Sequence, residues 1–278
     1  MVDSTMGAEL GNLRLGSAAS VETVISVDDV PITYQKSGSG PPVVMTGGGL
    51  NNAAMFAELV DQLSPNFTVY NYDRRGRGRS GDGNPDEFTV DLELADMEAV
   101  VRAAGEGCYL FANCTGGMLA VHAAARGLPV AKMALYEPPF ESPPVSNDYM
   151  DRLRALLAED RRADAVELFY RESVRFSEET ISYFKQHPIW DAFLALAPTL
   201  VYDCALGIDY SPVPIDLLPS IEIPTLVIDG GDSPQWIFTA CESLADGLPN
   251  GTHHREPGES HVLNQKTTGP LITSFFTS

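Results

Sequence analysis

Short apolar runs and longer amphipathic stretches alternate along most of the chain. The runs Pro42 to Thr46, Phe67 to Tyr72, Cys108 to Ala112, Lys132 to Tyr136 and Pro224 to Asp229 are too short for ordinary helices and fit strands buried on both faces. Between them apolar residues recur at helical spacing: Ala54, Phe56, Leu59, Val60 and Leu63, then Val90 to Ala104, Gly117 to Arg126, Pro234 to Leu248 and a last segment after His261. Val21 to Val27 and Pro31 to Gln35, joined at Asp28-Asp29, predict an opening hairpin, and Thr252 to Arg255 predicts a short late strand. The alternation predicts an α/β protein with a mostly parallel central sheet and helices on both faces.

That rhythm breaks after Tyr136. A proline cluster (Pro138, Pro139, Pro143, Pro144) leads into a stretch from Asp148 to about Pro219 without strand alternation, where Tyr149 to Leu157, Ala163 to Phe176 and Glu178 to Gln186 carry helical spacing. The pattern predicts one core, residues 21–144 and 220–278, interrupted by a helical cap over 145–219. Residues 1–20, polar and rich in Gly, Ala and Ser, read as a flexible N-terminal tail.

Composition narrows the partners. A chain of 278 residues can bury one large core, and no apolar run is read as reaching the ~18 to 20 residues of a membrane span. The net charge of −20 opposes contact with nucleic acid or anionic lipid. Neither nucleic acid nor membrane is therefore expected as a partner; a small-molecule substrate is, and a homodimer is left open. No basic-then-apolar leader opens the chain, so a cytoplasmic location is expected. Arg outnumbers Lys 14 to 4 beside abundant Ala, Gly and Pro, which fits a GC-rich bacterial genome. The cysteines Cys108, Cys114, Cys204 and Cys241 lie far apart, without a CxxC pair or adjacent His, and predict neither a disulfide framework nor a metal site; no cofactor is expected either. Gly76-Arg-Gly-Arg-Ser-Gly81 has the letters of a dinucleotide fingerprint, but the following Asp-Gly-Asn-Pro cannot open the helix that would hold a pyrophosphate.

The reactive chemistry centres on Phe111-Ala112-Asn113-Cys114-Thr115-Gly116-Gly117, which follows an apolar run and opens a helix. A nucleophile on such a sharp turn has strained backbone and needs small residues two positions to either side, here Ala112 and Gly116. No Gly-x-Ser-x-Gly occurs in the chain. A helix N-terminus and a nearby imidazolium would both favour the Cys114 thiolate.

These features, with the Gly47-Gly48-Gly49 turn, the Asp73-to-Ser80 arginine loop and the late Gly258-Glu-Ser-His261, resemble the α/β-hydrolase family from about Val21 onward, with Cys114 where serine is usual. The resemblance implies His261 as base and an orienting acid at Asp232, which is preferred, or at Glu137, where some members carry theirs. It implies an oxyanion hole from the amides of Gly48 and Thr115, and reads the arginine loop as a brace. The cap would cover the nucleophile, with Trp190 first and Tyr170 next as its substrate contacts. The function implied is hydrolysis of an ester, thioester or lactone of a small organic molecule through a covalent acyl-enzyme. An acyltransferase, cyclase or lyase of bacterial specialised metabolism, with His261 as general base, is the alternative.

Overall fold

The computed structural model describes residues 20–278; the expected tail lies outside them except for Ser20. Eight strands are present, β1 (Ser20–Ile25), β2 (Pro31–Gly38), β3 (Pro42–Thr46), β4 (Thr68–Tyr72), β5 (Cys108–Asn113), β6 (Val130–Tyr136), β7 (Thr225–Gly230) and β8 (Gly251–Glu256). They form one sheet in the order β1-β2-β4-β3-β5-β6-β7-β8. β2 pairs antiparallel with both β1 and β4, and every other pairing is parallel.

Because successive side chains of a strand face opposite ways, the buried strands feed two cores. Val44, Leu110, Ala112, Met133, Leu135 and Val227 enter one, beneath α2 (Val90–Ala104), α3 (Thr115–Ala125) and α9 (Gln235–Gly247). Val43, Met45, Phe111, Ala134, Tyr136 and Ile228 enter the other, beneath α1 (Ala57–Leu63) and α10 (Gln265–Thr277). The chain turns one way from β3 to β4 and the other way to β5, so a crevice opens beyond the ends of β3 and β5, the place where open α/β sheets bind ligands. Gly48 follows β3 and Cys114 follows β5.

Between β6 and β7 the chain is helical: α4 (Tyr149–Ala158), α5 (Arg162–Leu168) continuing as a π-helical turn (Phe169–Val174), α6 (Glu178–Gln186), α7 (Ile189–Leu196) and α8 (Leu200–Asp209). These helices share a third core, which includes Tyr170, Phe184, Phe193 and Leu200. The length of the apolar stretch here corrects the sequence reading. Ile189–Ile208 runs 20 residues at a mean hydropathy of 1.4, long and apolar enough for a membrane span, yet half of it is buried inside the molecule. Asp203, in its second half, is fully buried in ion pairs with the arginine loop. Its apolar faces are used in packing these helices together.

Candidate active site

Cys114 has φ 52° and ψ −128°, a strained conformation for any side chain (about 1–3 kcal/mol) that projects the thiol off the turn. The strain is held by the Cys114 N–H donating to Tyr136 O at 2.9 Å and by Cys114 O accepting from Gly117 N at 2.8 Å. A Cβ on Gly116 would stand 2.7 Å from Gly47 O, so the small residue demanded by the turn is also demanded by its neighbour. Leu50, Glu137 and Arg175 share the left-handed region with Cys114, and all four lie on loops or turns around the same crevice.

His261 lies on the loop between β8 and α10 with its side chain 18% exposed. Its Nδ1 is 2.7 Å from Glu137 Oε2, which leaves Nε2 for Cys114. Glu137, one residue past β6, is wholly buried. Its other oxygen, Oε1, accepts from the Gly230 amide at 2.7 Å and the Ser233 hydroxyl at 2.6 Å. The preference for Asp232 is thereby reversed in favour of the alternative. Asp232 is exposed, and its loop instead supplies the Ser233 hydroxyl that holds Glu137. The positive φ of Glu137, 44°, turns its carboxylate off the β6 line and across the end of β7, which no spacing rule reveals.

Burial alone would strip His261 of its proton. The Cys114 sulfur, as a negative charge and hydrogen-bond partner, together with Glu137, outweighs burial and raises the imidazole from 6.5 to about 10. At neutral pH His261 is thus an imidazolium beside the Cys114 sulfur. Burial pushes the Cys108 thiol up to about 11, Cys204 up to about 12 and Cys241 well above the usual value. In an unfolded chain His261 would titrate near 6.5, so the stabilisation from its raised folded value is complete below about pH 6.5 and is lost as pH rises through about 10. Thermal unfolding of wild type from pH 6.5 to 10 should show a steeper fall in Tm than that of Cys114→Ala, which lacks the sulfur; parallel curves would contradict the raised imidazole pKa.

Gly48 lies against the nucleophile. A Cβ there would overlap Cys114 Cβ and stand 2.8 Å from Sγ and 3.1 Å from Thr115 N. Thr115 is the first residue of α3, so its N–H has no partner within the helix, and neither amide donates a backbone bond in the described loops and turns. Three of the loop arginines are buried. Arg74 holds Glu93 and Asp203, Arg75 holds Asp28 and Asp96, and Arg77 holds Asp203. The loop is a brace, as expected, and its buried arginines are already occupied.

Two chambers meet at Cys114 and His261. One, about 160 Å³, is bounded by Tyr170, Phe184, Ile189 and Phe193 on one side and by polar groups that include Asn51, Glu58 and Gln265 on the other. The other, about 250 Å³, includes Ser142, Arg175, Asp232 and Trp236. Phe169, Val174 and Phe176, from and just beyond the π-helical turn, border both. Tyr170, expected to touch substrate, lines the first chamber. Trp190, expected first, borders neither chamber, because α7 turns Ile189 and Phe193 inward, and the next position along a helix points about 100° away. The sequence also gave no role to Ser233 or to Asp203. The available signal for Asp203 was a lone carboxylate in the apolar stretch Leu200-Val-Tyr-Asp-Cys-Ala-Leu.

Residues 43–267 match the alpha/beta hydrolase family, and the chain belongs to it. An alpha/beta hydrolase from Sphaerobacter thermophilus has a similar structure, with a TM-score of 0.85 and 42% identity over 92% of this chain and all of that one. The N-formylmaleamate deformylase of Pseudomonas putida is 31% identical over 108 residues, 38% of this chain and 40% of its own length. The pimeloyl-[acyl-carrier protein] methyl ester esterase of Xanthomonas campestris is 32% identical over 98 residues, 35% and 37% of the two lengths. The matched segments thus span about two fifths of these curated relatives.

Proposed function

We propose that the chain hydrolyses an ester or thioester of a small organic acid through a Cys114–His261–Glu137 triad and a thioester intermediate. The observation that carries this is a strained elbow thiol bearing on the His261 imidazole, whose Nδ1 meets a buried carboxylate. The thiolate attacks the acyl carbon, and the carbonyl electron pair moves to oxygen, where the Gly48 and Thr115 amides receive it. Collapse expels the alkoxide or thiolate, which takes the His261 Nε2 proton, and leaves a Cys114 thioester. With its thiolate partner consumed, the imidazole loses the larger support for its raised pKa and becomes a neutral base. It then removes a proton from water, the hydroxide adds to the thioester, and Cys114 departs as thiolate beside a reprotonated His261. The lyase alternative fits less well, since a resting imidazolium has no lone pair with which to take a substrate proton.

The helices between β6 and β7 serve as the lid, excluding water and shaping both chambers. The chamber beside Phe184, Ile189 and Phe193 is close to the ~150 Å³ that admits benzene, so one arm of the substrate is a phenyl or compact branched group packed against those side chains. The other chamber, lined by Trp236 and Ile237 with Arg175 and Ser142, takes a second arm that carries a polar group for those two. A panel of aryl esters and thioesters tests this. Phenyl-sized and branched acyl or alcohol groups should exceed dodecanoyl ones in kcat/KM by about tenfold or more, consistent with a few kcal/mol of pocket discrimination. Ile189→Trp should remove most of that advantage and leave acetyl esters unaffected. Stoichiometric ligand binding with no turnover across the panel would instead indicate a receptor.

A further inference from the structure

The brace at the crevice reaches further than the arginine loop. Asp203, on lid helix α8, is fully buried. It accepts three hydrogen bonds: from the Thr115 hydroxyl at 2.8 Å, Arg74 Nη1 at 2.9 Å and Arg77 Nη2 at 2.6 Å. Arg77 Nη1 donates onward to Gly48 O at 3.2 Å, and Arg74 Nη1 approaches both Gly47 O at 3.5 Å and Thr115 Oγ1 at 3.1 Å. Arg74 is itself fixed by paired bonds to Glu93 at 2.5 and 2.7 Å. A Cβ on Gly49 would stand 3.0 Å from Phe169 Cζ and 3.5 Å from Asp203, so the lid rests directly on the glycine turn.

One lid carboxylate therefore bears on both residues whose amides face the nucleophile: on Thr115 through its hydroxyl, and on Gly48 through Arg77. We propose that Asp203 is a positioning residue that sets the two oxyanion-binding amides, so that correct seating of the lid and capture of the oxyanion are one event. This rests on the acyl-transfer reading above. The charges support a positioning role. Two arginines against Glu93 and Asp203 leave the cluster neutral, so its bonds can fix backbone without a net field that opposes an oxyanion. Truncating Asp203 leaves one buried arginine charge uncompensated, which by charge alone would favour the oxyanion and speed the reaction; loss of placement slows it. The two influences predict opposite signs.

The test compares two reactions of Cys114. Acylation by p-nitrophenyl acetate passes through an oxyanion, whereas alkylation by iodoacetamide displaces iodide at a saturated carbon and does not. In Asp203→Asn, acylation should fall about 10- to 100-fold, below the 10²–10³ of losing an oxyanion donor outright, while alkylation stays within about threefold. Thr115→Val keeps the N–H and the Asp203–arginine pairs and removes only the hydroxyl link. It should show the same split to a smaller degree, and it decides the matter if Asp203→Asn does not fold. Equal loss in both reactions, or faster acylation, overturns the proposal. Acylation of wild type that survives both substitutions overturns this inference alone; a wild type that is alkylated but never acylated overturns the hydrolase reading and this inference with it.

Discussion

Cys114→Ala is expected to lower ester turnover by about 10⁴-fold or more while leaving the fold intact. The size follows from the absence of a substitute nucleophile. Cys108, Cys204 and Cys241 are buried with raised thiol pKa values, so none can supply a thiolate to the crevice. The fold should survive because the elbow is held by backbone bonds from Cys114 N to Tyr136 O and from Gly117 N to Cys114 O, which alanine retains. What remains would be the effect of the Gly48 and Thr115 amides and of binding alone. The variant should also lose the high imidazole pKa, because Cys114 supplies the two largest supports for it. Steady-state kinetics with circular dichroism, and a histidine titration by NMR, check the two halves separately.

The second large effect separates two carboxylates. Glu137→Gln should lower kcat by about 10³- to 10⁴-fold, the range seen when an orienting acid becomes an amide and the imidazole is held in the wrong tautomer. The substitution keeps the bulk of a fully buried side chain whose oxygens meet His261, Gly230 and Ser233. It removes the charge that stabilises the imidazolium. Asp232→Asn should change kcat by less than about twofold, because Asp232 is exposed and its side chain makes no hydrogen bond to His261 or Glu137. Parallel kinetics on the two variants decide between the acids; a large loss in Asp232→Asn with a small one in Glu137→Gln would return the role to Asp232.

The sheet was legible because a strand buried on both faces must be apolar at nearly every position, and Pro42–Thr46 and Val90–Ala104 match their predicted bounds without adjustment. The elbow was legible because its geometry restricts residue size at Ala112 and Gly116. The choice of acid was not, since it depends on the φ of one residue, Glu137, and on which of two loop ends turns beneath His261; composition does not encode that. Trp190 misled for a related reason. An aromatic on a helix between β6 and β7 can face either way, and only the packing of α7 turns Ile189 and Phe193 to the chamber. The continuous apolar stretch of α7 and α8 hid both their extent and Asp203, whose partners lie 126 and 129 residues away in sequence. Long-range ion pairs of this kind leave no periodic trace.

The proposed reaction turns on a bond between the Cys114 sulfur and the acyl carbon. Mixing the protein with a phenyl-sized aryl ester, quenching in acid during the first turnover and mapping the peptides by mass spectrometry tests it directly. The expected result is a mass increase equal to the acyl group on the peptide carrying Cys114, removed by hydroxylamine at neutral pH as a thioester is. Turnover in full without any acyl group on Cys114 at any quench time, or with Cys114→Ala as active as wild type, would contradict it.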